Sequence, residues 1–245
     1  MTRRTLITGA GSGIGRALAR YLRARGHWVA GIDIAWRDRS VVDLALDADL
    51  TDEAAVARAL EALPGGAAID ALIANAAITD RDHHHVVDLP MDTWRLVFAV
   101  NVTSTVSLVK RALPAMLSRR AGNVVFVTSS LGGWKGGVPG DAVYSASKAA
   151  LESFAYVLSL ETREAGINVN TVFPSVKVDT GFFEGAPPDV RAELHPSTIL
   201  DAPTAFLAEL APGTLTGVSL DQQAWDDDPD YARMLRARAR EERRA

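Results

Sequence analysis

Thr8-Gly9-Ala10-Gly11-Ser12-Gly13-Ile14-Gly15 stands between a short apolar strand and a long amphipathic segment. Glycines in that place let the backbone turn sharply and approach a bound group closely. A helix that starts straight after the turn presents unpaired N–H groups and a positive dipole end, which suits a pyrophosphate. A glycine string by itself is also compatible with a plain tight turn. Its position after the first strand of a strand–helix–strand unit points instead to dinucleotide binding, through Gly9, Ser12, Gly13, Ile14 and Gly15.

The remainder of the chain repeats that alternation. Apolar, β-branched runs read as strands at residues 5–8, 28–33, 43–48, 71–74, 123–128, 168–173 and 218–220. Segments with 3.6-residue periodicity read as helices at 14–25, 53–62, 91–118, 143–165 and 202–209. The expected fold is α/β: one doubly wound parallel sheet of about seven strands in a single Rossmann domain spanning 1–245. Only the polar stretch from Trp36 to Val41 separates the second and third strands, so the crossover there must be brief. Pro114 is expected to kink or end the fourth helix. The block from Asp226 to Ala245 reads as a helical extension, with Asp226-Asp227-Asp228-Pro229 as cap and first turn.

Composition narrows the function classes. The 245 residues are 48% hydrophobic, enough to bury a sizeable core, and contain no cysteine, which excludes disulfides and a Cys nucleophile. A formal charge of −4 gives no reason to expect a nucleic-acid partner. The N-terminus lacks the apolar core of about 7–15 residues that marks a signal peptide. No apolar run is judged to approach the ~20 residues of a membrane span. The expectation is a soluble cytoplasmic protein with neither membrane nor nucleic-acid partner.

Two constellations carry chemistry. The second strand ends at Asp33, where a carboxylate can accept hydrogen bonds from ribose hydroxyls and would repel a 2′-phosphate. That favours NAD over NADP, although Arg37 and Arg39 follow closely. Tyr144 and Lys148 are four residues apart on one helix face. A fixed ammonium beside a phenol favours the phenolate, lowering a pKa that starts near ~10 and supplying a group for proton transfer.

With these motifs the chain resembles the short-chain dehydrogenase/reductase family, in its compact single-domain branch, over nearly its whole length. The glycine turn matches the family's Thr-Gly-x-x-x-Gly-x-Gly. By that resemblance Asn101, Ser130, Tyr144 and Lys148 form a catalytic tetrad: Tyr144 moves the proton, Lys148 supports it and holds the nicotinamide ribose, Ser130 polarises the substrate oxygen, and Asn101 positions a relay water. Asp49-Leu50 is similar to the pair that holds the adenine. Asn75 and Ala76, in Ala74-Asn75-Ala76-Ala77, occupy the place of Asn-Asn-Ala-Gly, with alanines for the first Asn and the final Gly. Pro174, Val176 and Thr180 occupy the segment that contacts the nicotinamide carboxamide. Gln222-Gln223 replace the usual Gly-Gly after the last strand.

The resemblance implies an NAD-dependent enzyme that moves a hydride between nicotinamide and a secondary alcohol or ketone. An NADPH-dependent ketoreductase and a non-catalytic NAD-responsive binding protein are the alternatives. Trp134, Lys135, Phe182 and Phe183 are candidate substrate contacts, for an apolar or aromatic molecule with an anionic group near Lys135 or Lys177. His83-His84-His85 lacks a metal-ligand spacing and reads as a loop at the cleft edge, so no metal is expected. A homodimer or homotetramer built on helices four and five is implied.

Overall fold

The computed structural model describes residues 2–65, 68–133 and 136–242. Seven strands form one parallel sheet: β1 (Arg4–Thr8), β2 (Trp28–Asp33), β3 (Leu44–Asp47), β4 (Ala71–Ala74), β5 (Gly122–Val127), β6 (Ile167–Phe173) and β7 (Ser219–Asp221), in the order β3-β2-β1-β4-β5-β6-β7. The order reverses at β1, so the crevice beyond the carboxyl ends of β1 and β4 is where such a sheet takes a ligand.

Alternation along each strand sends neighbouring side chains to opposite faces, and both faces are covered. Leu6, Ile32, Leu72 and Phe126 join Leu108 and Leu151 on one side. Ile7, Ile73, Val125 and Leu220 join Leu18 and Leu207 on the other. The helices are α1 (Gly13–Ala24), α2 (Glu53–Glu61), α3 (Met91–Phe98), α4 (Ser104–Arg119), α5 (Ala142–Thr162), the short α6 (Pro188–Ala192) and α7 (Asp201–Ala208), of which α1, α2, α4, α5 and α7 supply these layers. Between β2 and β3 there is only a 3₁₀ turn, Arg39–Val41, as the short spacing requires.

Three expectations need correction. The fourth helix is interrupted at a π-helical turn, Ala99–Thr103, and Pro114 lies inside α4, which continues to Arg119 rather than ending. The helical path Met91–Arg119 is 29 residues and, by length and composition, apolar enough to cross a membrane. Val97, Leu108, Val109, Ala112 and Met116 of that path are buried, while Met91, Leu96 and Leu117 are exposed. The third correction concerns the end of the chain. Gln222 opens a short helix α8 (Gln222–Asp227), capped by the Asp221 carboxylate accepting from the Gln223 amide at 2.9 Å, so the extension begins earlier than Asp226. Helix α9 (Tyr231–Glu242) follows and buries Leu235.

Candidate active site

The glycine turn is held from three sides. The Asp33 carboxylate accepts from the Gly11 amide at 2.8 Å through one oxygen, and from the Ile34 and Ala35 amides at 2.7 and 3.0 Å through the other. The Asn75 side chain donates to the Thr8 and Gly9 carbonyls at 3.0 and 3.3 Å. The Asn75 and Ala76 amides both donate to the Thr8 hydroxyl. A Cβ at Gly11 would stand 2.0 Å from the Ala35 carbonyl oxygen, and one at Gly15 would stand 2.0 Å from that of Gly9. Only glycine fits at either place.

The turn delivers the chain into α1 through Ser12, which makes no side-chain capping bond, and the first turn of α1 contains no acidic residue. Its N–H groups and dipole are therefore uncompensated by side chains, which fits an anionic dinucleotide. Thr180 lies against this entry, 3.3 Å from where a Gly13 Cβ would be. Ile14 packs into the core behind it. Pro174 and Val176 are half-buried on the segment leaving β6. Asp49 is exposed, and its carboxylate is engaged by the Thr51 amide and hydroxyl at 2.8 and 2.7 Å, while Leu50 packs on the core. Arg39 is paired with Asp47 and lies over Trp36; Arg37 is exposed, and its amide donates to the Gly11 carbonyl.

Tyr144 stands in the first turn of α5, at the carboxyl end of β5. Lys148 is fully buried one turn on, its Nζ donating to the Val127 carbonyl at 2.8 Å and lying 5.6 Å from the Tyr144 ring centre. Burial brings the ammonium down to about 8, and Glu152 opposes that shift. The phenol departs from expectation: burial pushes Tyr144 up to about 12, a hydrogen bond with the Ser129 side chain works the other way, and the Asp141 charge adds to the rise. Desolvation of the phenolate thus outweighs any help from the lysine.

The Ser129 side chain acts against the rise of the Tyr144 phenol. Ser129 is half-buried and also accepts from the Leu131 amide at 3.2 Å, whereas Ser130 is exposed at the start of a 3₁₀ turn, open to the space beyond the carboxyl end of β5. Asn101 is fully buried in the π-helical turn. Its side chain donates to the Ile78 carbonyl and the Ser147 hydroxyl, both at 2.9 Å, and accepts from the Ile78 amide at 2.8 Å. It ties the strand β4 exit to α5, beside Tyr144. Phe182 meets the Tyr144 ring edge-on, with centres 5.6 Å apart.

The short-chain dehydrogenase family model matches residues 3–190, which is most of the chain. The chain belongs to the short-chain dehydrogenase family. Among relatives of this short-chain dehydrogenase, the cis-4-hydroxycyclohexanecarboxylate dehydrogenase of Sinomonas cyclohexanicum is 32% identical over 235 residues, covering 88% of this chain and 92% of the relative. A Brucella melitensis 3-ketoacyl-(acyl-carrier-protein) reductase complexed with NADH superposes with a TM-score of 0.81 at 26% identity, covering 89% and 96% of the two chains. A Beutenbergia cavernae structure with bound NADP, a proposed gluconate 5-dehydrogenase, gives 0.79 at 27% identity over 92% and 97%.

Other expected residues of this short-chain dehydrogenase are placed less centrally. Phe183 is half-buried in the 3₁₀ turn Gly181–Phe183. Trp134 and Lys135 lie outside the described residues. Lys177 is exposed and paired with Glu193 at 2.8 Å. Asp80, Asp82 and His84 bring ligand atoms within 4.8 Å of one another. The Asp80 carboxylate there already accepts from the Asp82 and His84 amides and meets the His84 ring, a set of bonds that builds the local turn.

One functional residue escaped the sequence reading. Glu152 accepts from the hydroxyls of Thr128, Thr171 and Ser219 at 2.5, 3.0 and 3.2 Å, linking the ends of β5, β6 and β7, and is the carboxylate that favours the Lys148 charge. Its i+4 position after Lys148 was the available signal.

Proposed function

We propose that the protein is an NAD-dependent dehydrogenase or reductase that moves a hydride between nicotinamide and the carbon of a secondary alcohol or ketone, with Tyr144 as general acid and base. The observation that carries this reading is the placement of the buried Lys148 and of Ser129 beside Tyr144 at the carboxyl end of β5. Binding alone requires neither a buried lysine nor a hydroxyl at the phenol.

The α1 entry at Gly9, Ser12, Gly13, Ile14 and Gly15 would hold the pyrophosphate, Asp33 the adenosine ribose, and Asp49-Leu50 the adenine. Asn75 and Ala76 would line the cleft floor; Pro174, Val176 and Thr180 would face the carboxamide. When bound, the dinucleotide supplies the hydride or accepts it. In reduction Tyr144 donates its proton to the carbonyl oxygen while the hydroxyl of Ser130, or of its neighbour Ser129, holds that oxygen by a hydrogen bond. In oxidation the same phenol, once ionised, takes the hydroxyl proton. Lys148 stabilises the ionised form, and Asn101 fixes the frame between Ile78 and Ser147. General acid–base help of this kind contributes ~10²–10⁴-fold. A phenol held near 12 is in its donating form throughout the neutral range, which favours carbonyl reduction.

Asp33 supports NAD as the preferred dinucleotide, and the pairing of Arg39 with Asp47 removes one cation that would otherwise serve a 2′-phosphate. Exposed Arg37 beside Asp33, together with the NADP held by the Beutenbergia structure, favours the second reading, an NADPH-dependent ketoreductase. Phe182 supports an apolar substrate. Exposed Leu117 on α4 and Tyr156, Val157 and Leu160 on α5 support association through that face.

Screening secondary alcohols with NAD⁺ for NADH absorbance, and the matching ketones with NADH and NADPH, tests the proposal. Turnover with either cofactor is the expected result. Dinucleotide binding without turnover across a broad panel would sink it.

A further inference from the structure

The loop that follows β4 reaches across the site to the start of α5, and its contact there is built with some strain. His83 is one of two non-glycine residues among those described with a left-handed backbone, at φ 50°. Most side chains avoid that conformation, and surrounding structure must impose it. Gly140 receives it: a Cβ there would stand 2.7 Å from the His83 carbonyl oxygen, and Gly140 itself has φ 90°. The fit brings His83 Nδ1 to 3.0 Å from the Asp141 carboxylate.

Asp141 is the N-cap of α5. An aspartate in that position ordinarily accepts from the free amides of its own helix. This one makes no side-chain capping bond. Its carboxylate is mostly buried and is held by His83 instead, three residues before Tyr144.

We propose that Asp141, clasped by His83, is a positioning residue for hydride transfer: the pair joins the loop after β4 to the first turn of α5 and sets the charge beside Tyr144. The inference rests on the function proposed above, in which Tyr144 moves the proton. Among the described residues, the charged and titratable groups around the phenol are Asp141 and Lys148 from α5 itself, with His83 reaching it from the β4 loop through Asp141. The turn after β5 presents Ser129 and the segment after β6 presents Phe182, neither of them charged. Burial is the main reason the Tyr144 phenolate is disfavoured, and the Asp141 carboxylate adds to it. His83 holds that carboxylate in place and away from the amides of α5.

The test uses three variants of the full chain and two readouts. Tyr144 is titrated by NMR with tyrosine labelled at the ζ carbon, its resonance identified by loss in Tyr144→Phe. This readout does not need a substrate, so it separates failure of the clasp from failure of the proposed reaction. Asp141→Asn is expected to move the Tyr144 titration to lower pH, and, with a substrate in hand, to move the alkaline-rising limb of alcohol oxidation the same way. His83→Ala is expected to lower kcat/KM by about three- to fivefold, the scale of a partly exposed ion pair. His83→Gln, whose amide can donate to Asp141, is expected to recover most of that loss. An unmoved Tyr144 titration in Asp141→Asn overturns the proposal, as does equal behaviour of His83→Ala and His83→Gln. If Asp141→Asn does not fold, the two His83 variants decide the matter on activity.

Discussion

The Lys148 ammonium donates to the Val127 carbonyl at 2.8 Å, and this bond locks the side chain of α5 to the last residue of β5. A lysine at this depth has lost its water. Its remaining partners are that carbonyl, the face of Tyr144 and the more distant charge of Glu152. The arrangement holds a buried cation against the Tyr144 ring, and it does so at the expense of folding stability.

That expense has a pH signature. Lys148 sits at about 8 in the fold against an ordinary 10.5, so the unfolded chain binds the proton more tightly. The penalty is complete below about pH 8 and is relieved as pH rises to 10.5, on the order of 3 kcal/mol in all. Lys148→Met removes it but leaves the Val127 carbonyl unpaired, which offsets part of the gain. Urea denaturation of both proteins should show wild type gaining on the variant through that window. A stability difference that stays constant with pH contradicts the buried-charge account.

Ser129→Ala should reduce turnover by about 10²-fold, the scale of removing one hydrogen-bond donor from a developing oxyanion. Ser130→Ala, at an exposed turn position, should leave turnover within about twofold. Steady-state kinetics on an identified substrate distinguishes them, and the reverse ranking restores Ser130 as the active serine.

Tyr144→Phe removes one oxygen and keeps the ring packed against Phe182. NADH binding, followed by fluorescence, should stay close to wild type while turnover falls by about 10²–10⁴-fold. Near-normal turnover in this variant would remove Tyr144 from the proton-transfer step.

Asp33→Ser should narrow a preference for NADH over NADPH by about tenfold, some 1.4 kcal/mol. Because Asp33 also holds the Gly11 amide, binding of both cofactors should weaken together with the change in ratio. A wild-type protein that binds NADPH more tightly overturns the assignment to NAD.

Paired substitutions Val157→Glu and Leu160→Arg place charges on the exposed apolar face of α5. Sedimentation velocity should then report a smaller species than wild type. Identical sedimentation at matched concentration moves the association surface elsewhere.

Much of this molecule was written in local patterns. The seven strands, the missing helix before β3, the glycine turn, Asp33, and the Tyr144–Lys148 spacing each depend on neighbours within a few residues, where chain geometry leaves little choice. The π-helical turn at Asn101 was invisible because apolar periodicity runs through it on both sides. Gln222-Gln223 stand where the family has Gly-Gly, and with Asp221 as a cap they begin a helix.

Sequence alone determined the fold and the family and put Tyr144 and Lys148 on one helix face, because a parallel sheet with a glycine turn admits few arrangements. Tertiary structure decided how the two adjacent serines differ, Ser129 half-buried and Ser130 exposed, since neighbouring residues leaving a strand point in different directions. It also decided the sign of the Tyr144 shift. Spacing puts the lysine near the phenol, but only packing reveals how much water both have lost, and desolvation is the larger effect.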